Sequence, residues 1–158
     1  MAVEITDSAQ IRAEQKFVRL LERDYKEVEF RWGQPRFSYR LKNGKKVVFL
    51  GEPQPNFGLL ALHELGHALC EHKDYNTHVE RLKIESEAWE MAKTVYSNYA
   101  TNTHLADILP EWNEDIVQEK LDTYREWLHN KSLCKKCGLT MYQTKDGKYH
   151  CPRCESFL

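Results

Sequence analysis

Phe57-Gly-Leu-Leu-Ala-Leu-His-Glu-Leu-Gly-His-Ala-Leu69 is the stretch on which the reading of this chain turns. Leu59, Leu60, Ala61, Leu62, Leu65, Ala68 and Leu69 are apolar at nearly every helical angle, which predicts a helix buried around most of its circumference. His63, Glu64 and His67 sit inside it, and buried polar groups are costly without partners. Positions i and i+4 share one helix face, so both imidazoles can reach a single metal ion about 2 Å away. In this HExxH spacing Glu64 lies beside the pair, too close in sequence for a comfortable third ligand but well placed to contact a water on the metal. Zinc lowers the pKa of such a water to about 7, and a neighbouring carboxylate can take its proton during attack on a carbonyl. The expected chemistry is hydrolysis, with Glu64 as base and zinc on His63, His67 and a third ligand that leaves one position open.

The following helix, expected over about 78–99, offers Glu85 and Glu87. Placed at about 100° per residue, Leu82, Ile84, Ala88, Trp89, Ala92, Val95, Tyr96 and Tyr99 share one broad arc that includes Glu85. Glu87 falls outside it, near Glu80, Lys83 and Glu90. A carboxylate within an apolar face needs pairing or a metal, so periodicity favours Glu85. Glu87, His72 and His78 are the rival third ligands. Tyr96, Tyr99, His78 and His104 are candidates for stabilising an oxyanion.

Upstream, Ile11, Val18, Leu21, Tyr25 and Val28 recur at three- and four-residue steps and predict an amphipathic helix over 7–29. Phe37, Tyr39 and Leu41 alternate with Ser38, Arg40 and Lys42, Asn43-Gly44 supplies a turn, and Val47–Leu50 returns, which predicts a hairpin. Residues 51–55 break the pattern before a helix over about 56–73. Residues 100–113 read as irregular, with Pro110 among them, and Val117, Leu121, Tyr124 and Leu128 predict a helix over about 114–129. Apolar periodicity stops near residue 130. The expectation is an α+β catalytic domain, 1–130, and a small metal-held module, 131–158.

That module rests on Cys134-Lys-Lys-Cys137-Gly138 and Cys151-Pro-Arg-Cys154, thirteen residues apart. Each CxxC turn aims two sulfurs at one ion, and Lys145-Asp146-Gly147 marks a hairpin between them. A tetrathiolate zinc ribbon is expected, with the metal holding together a segment too short for its own core. Cys70 is left over and reads as a small core residue. Two zinc ions per chain follow, one catalytic and one structural.

The chain has 158 residues, 41% hydrophobic and 30% charged, and a net charge of −1. Residues 131–158 hold six Lys or Arg against Asp146 and Glu155, a net +4 that four zinc-bound thiolates would partly neutralise. Direct nucleic-acid binding by the ribbon has only this charge and two tyrosines behind it. No apolar run approaches the roughly 18 residues of a membrane span. Met1-Ala-Val-Glu-Ile-Thr-Asp shows no basic stretch before an apolar one, so a cytoplasmic, reducing location is expected.

Phe57–Leu69, taken with Glu85-Ser-Glu-Ala-Trp-Glu-Met-Ala92, resembles the ImmA/IrrE-like zinc metallopeptidases across roughly residues 37–92. Their pattern is HELGH followed on the next helix by E-x-E-A-N-x-F-A, and Trp89 stands where the family has Asn. The resemblance implies a zincin-like domain of gluzincin type, Glu85 as the third zinc ligand, and a protein substrate such as a transcriptional repressor. HExxH with a later histidine and a C-terminal ribbon is similar to the SprT/Spartan-like proteases, which act on DNA-associated proteins. A non-catalytic zinc-binding adaptor is the reading from outside the enzymes, and retention of Glu64 counts against it.

Overall fold

Helix α1, Ala2–Asp24, opens the chain in a computed structural model that describes residues 2–154. Phe17, Val18 and Leu21 point its apolar side into the core. The expected continuation to residue 29 does not occur. The helix ends at Asp24, and Val28–Arg31 forms strand β1, with Val28 and Phe30 buried and Glu29 and Arg31 exposed. A parallel ladder decides it, because Val28 pairs opposite Lys46 and Arg31 opposite Phe49, giving this short alternating segment main-chain partners that a fraying helix end lacks.

The expected hairpin is present as β2, Ser38–Lys42, and β3, Lys45–Phe49. Asn43 and Gly44 both take positive φ, 51° and 75°, the geometry that closes a two-residue hairpin with the strand twist. The sheet order is β1-β3-β2, so β2 is an edge strand. Tyr39 pairs with Val48 and Leu41 with Lys46, which puts their side chains on one face of the sheet.

Helix α2, Phe57–Leu69, is buried along most of its length, as its composition requires. Helix α3, His78–Tyr99, passes close to it. A Cβ on Gly66 would stand 2.2 Å from the Ala88 carbonyl oxygen, so only glycine permits this approach. Gly58 faces the Ile108 carbonyl in the same way, at 2.3 Å. The segment after α3 is therefore packed, although irregular: it holds a 3₁₀ turn, Thr103–Leu105, and buries Leu105, Ile108 and Leu109.

Helix α4, Glu114–Ser132, starts at Asn113, whose side chain accepts from the Asp115 N–H at 2.8 Å. A two-stranded hairpin follows, β4, Tyr142–Gln143, with β5, Tyr149–His150. The architecture is α+β, with helices, two small sheets and a C-terminal cysteine cluster.

The internal contacts group into two units, Met1–His72 with Glu87–Trp112, and Lys73–Ser86 with Asn113–Leu158. The first contains the three-stranded sheet and α2. In the second, α4 and the opening turns of α3 group with the cysteine module. His78 N–H there donates to Gln143 Oε1 at 2.7 Å, and His78 Nδ1 and the Tyr149 hydroxyl share a hydrogen bond of 2.7 Å. Among the described residues no helix is long and apolar enough to cross a membrane.

Candidate metal centres

His63 and His67 stand one turn apart on α2, 7% and 8% exposed, with their Nε2 atoms 3.2 Å from each other. Two ligands about 2.05 Å from a tetrahedral zinc lie about 3.3 Å apart, so the two rings already have the spacing of a ligand pair. Glu85 on α3 is buried, and its carboxylate joins them: the ligand atoms of His63, His67 and Glu85 all lie within 4.8 Å of one another. Two imidazoles and one carboxylate, buried together, are the donor set of an open three-ligand zinc site. Burying such groups is costly without compensation, and a single cation would compensate all three together. Glu64 lies in the same turn of α2, partly exposed.

Aromatic rings pack against both imidazoles. Trp89, one residue beyond the Ala88 contact, stacks on His63 with centroids 4.3 Å apart and planes 27° apart. Its Nε1 is buried without a hydrogen-bond partner. The Tyr39 ring lies parallel to His67, 2° between planes and 6.4 Å between centroids. The Tyr39 hydroxyl is also buried without a partner, and burial raises its pKa. Neither aromatic was expected at this site. Tyr39 was legible as an alternating strand residue, and Trp89 as part of the apolar arc that includes Glu85 and as a departure from a family pattern.

The second centre is Cys134, Cys137, Cys151 and Cys154, again with all ligand atoms within 4.8 Å. Cys137 Sγ and Cys151 Sγ are 3.6 Å apart, against about 3.75 Å for two sulfurs at 2.3 Å from a tetrahedral zinc. The first turn closes through Gly138 N–H to the Cys134 carbonyl at 2.8 Å, with Gly138 at φ 73°. Backbone N–H groups of Lys136 and Cys137, the largest causes, lower the Cys134 thiol to about 6. Cys154 moves the other way, to about 12, chiefly through its hydrogen bond with Cys137. Four crowded sulfurs cannot all ionise without a cation among them, a charge that a zinc ion would supply. Met141 and Tyr149 pack on the cluster and form the small core there.

The remaining candidates lie outside this ligand cluster. His72 lies at the end of α2, where it meets His67 and Glu87. His78 is bonded to Tyr149 and packs on Trp127, 4.5 Å between centroids. Tyr96 donates its hydroxyl to the Pro110 carbonyl, Tyr99 donates to Asp24, and His104 is exposed. Cys70 is the half-buried C-cap of α2, its Sγ 4.0 Å from the Glu87 carbonyl oxygen. Both candidate centres are compatible with zinc. Comparison of the chain with known protein families, with curated proteins and with solved structures finds no match.

Proposed function

We propose that the protein is a zinc metallopeptidase with a zincin-like catalytic domain of the ImmA/IrrE kind and a structural zinc ribbon. The observation that carries this reading is the convergence of His63, His67 and Glu85 with Glu64 on the same helix. In this reading His63 Nε2, His67 Nε2 and a Glu85 carboxylate oxygen hold the catalytic zinc. When bound, zinc supplies a Lewis acid for the scissile carbonyl and lowers the pKa of water at its open position to about 7. Glu64 takes the proton from the attacking water and returns it to the leaving amine. The Tyr39 hydroxyl, buried beside His67 and unpartnered, is the donor assigned to the developing oxyanion. The other zinc, on the four cysteines, is structural.

The substrate is a protein, bound as an extended segment along β2. That strand ends the sheet and carries Tyr39, so main-chain pairing along it would lead a peptide to the ligand helix. Main-chain pairing reads little sequence, and selectivity is assigned to the ribbon, whose exposed Lys135, Lys136, Leu139 and Tyr142 suit a protein surface, including that of a DNA-associated protein or repressor. The test is proteolysis of an unfolded protein substrate by the zinc-loaded full chain and by Glu64→Gln. The variant should keep both zinc ions and its fold while losing about 10²–10⁴ in rate. Equal cleavage by both proteins would refute the role of Glu64, and no cleavage by wild type on any protein substrate would favour the adaptor reading.

A further inference from the structure

At the C-terminal end of α2 the chain performs a turn that its sequence does not favour. Glu71 adopts φ 55°, the left-handed region in which a helix usually ends on glycine. The two bonds of a Schellman end are both present: His72 N–H donates to the His67 carbonyl at 3.1 Å, and Glu71 N–H to the Ala68 carbonyl at 3.3 Å. Lys46 from β3 holds the strained residue, its Nζ 2.8 Å from Glu71 Oε1. A non-glycine residue kept in this conformation is strained, and the surrounding structure must offset that strain.

The turn folds His72 back onto His67. His72 Nδ1 lies 2.8 Å from His67 Nδ1, and His72 Nε2 lies 3.2 Å from Glu87 Oε2. Both histidines and Glu87 belong to the first unit. Because His67 turns its Nε2 toward His63, Nδ1 is the atom left for an outer contact. Proton accounting then fixes every direction. A His67 that ligates through Nε2 carries its proton on Nδ1 and donates it to His72 Nδ1. His72, accepting there while neutral, must carry its own proton on Nε2, and it donates that proton to the Glu87 carboxylate. The His72 side chain is 8% exposed and that of Glu87 41%, so the chain ends on a charge that keeps its hydration.

We propose that His72 and Glu87 are positioning residues that lock His67 in the tautomer and ring orientation of an Nε2 ligand, with the Glu71 turn built to deliver His72. The inference rests on the zinc reading of His63, His67 and Glu85, and it gives the two rival ligands a different task. Outer partners of this kind typically contribute 10–100-fold in metal affinity.

The test uses the full chain with ¹⁵N-labelled histidine, loaded with ¹¹³Cd in place of zinc. Nitrogen–cadmium coupling should appear at Nε2 of His63 and His67 and be absent from His72, which should be neutral with its proton on Nε2. Coupling to His72 would make it a ligand, and a proton on His72 Nδ1 would reverse the chain; either result overturns the proposal. Cadmium on the cysteines with no coupling to any histidine would instead sink the histidine–glutamate site itself, and this inference with it. In parallel, Glu87→Ala should weaken metal binding at that site by about 10–100-fold by chelator competition while leaving the tetrathiolate site unchanged. Glu87→Gln, whose amide oxygen still accepts from His72, should recover most of the loss. Lowered thermal stability in Glu87→Ala with unchanged affinity would mean that the contact only packs the fold, and would also overturn it.

Discussion

Gly66→Ala is the perturbation whose outcome the packing determines most sharply. In an exposed helix, glycine to alanine stabilises by about 1 kcal/mol, because alanine has the better helix propensity. Here the added Cβ would stand 2.2 Å from the Ala88 oxygen, 3.0 Å from its carbonyl carbon and 3.2 Å from its Cα, against 3.4 Å for ordinary contact. All three atoms are backbone, so no side chain can swing away, and α3 must withdraw by roughly 1 Å. Overpacking of this kind costs about 1–3 kcal/mol and at times more, and a backbone collision belongs at the upper end. The net effect should be a loss of about 2 kcal/mol, or about 4–8 °C in Tm for a chain of this size. Glu85 lies three residues before Ala88 on the same helix, and ligand distances tolerate only about 0.2 Å, so zinc at the histidine site should weaken as well. Urea unfolding of metal-free protein isolates the packing loss, and chelator competition reads the site. Gly58→Ala, pressed on Ile108 instead, serves as the control, with a similar stability loss and a smaller effect on zinc. A Tm that is unchanged or raised in Gly66→Ala would refute the close approach.

Elemental analysis of reconstituted protein should give two zinc ions per chain, and a chelator should remove one sooner, because zinc on three protein ligands would keep an open position that zinc on four cysteines would not. One zinc, or two lost together, would contradict the two-site reading. Tyr39→Phe should lower kcat by about 10²–10³ with zinc affinity unchanged, and an unaffected kcat would remove Tyr39 from the oxyanion role. Burial, followed by the charges of Lys131 and Arg81, holds His78 below its ordinary value of 6.5. Its contribution to stability is therefore full above pH 6.5 and is lost as pH falls through 6.5 toward the folded value. Unfolding midpoints at pH 7.5 and 5.5 should diverge more in wild type than in His78→Gln, and equal pH dependence would rule this out.

Both hairpins, the apolar helix of His63 and His67 and the cysteine pairs were legible because each is a local signal: Asn43-Gly44 and Asp146-Gly147 mark turns, and the CxxC spacing marks sulfurs that converge. The glutamate pair was readable from helical angle, which separates buried Glu85 from Glu87 at the surface. Strand β1 was not, because Val28 fits a helical step as well as a strand, and its parallel partner lies 18 residues away at Lys46. The outer contacts of His67 were hidden for another reason. No pattern marks Glu71 for a left-handed turn, since glycine is the residue that normally announces one. A missed local signal is Thr77-His-Val-Glu80: Glu80 N–H donates to Thr77 Oγ1, and Glu80 Oε2 accepts from the Thr77 N–H, a capping box that starts α3.

The central claim is an open zinc site on His63, His67 and Glu85 with Glu64 poised beside it. A crystal structure of the zinc-loaded protein, with the ions located by anomalous scattering at the zinc edge, tests it most directly. One ion should lie about 2.0–2.2 Å from His63 Nε2, His67 Nε2 and a Glu85 carboxylate oxygen, its fourth position held by a water within hydrogen-bond reach of Glu64. Zinc held there by His72 or Glu87 in place of Glu85, or closed off by a fourth protein ligand with Glu64 turned away, would contradict the account.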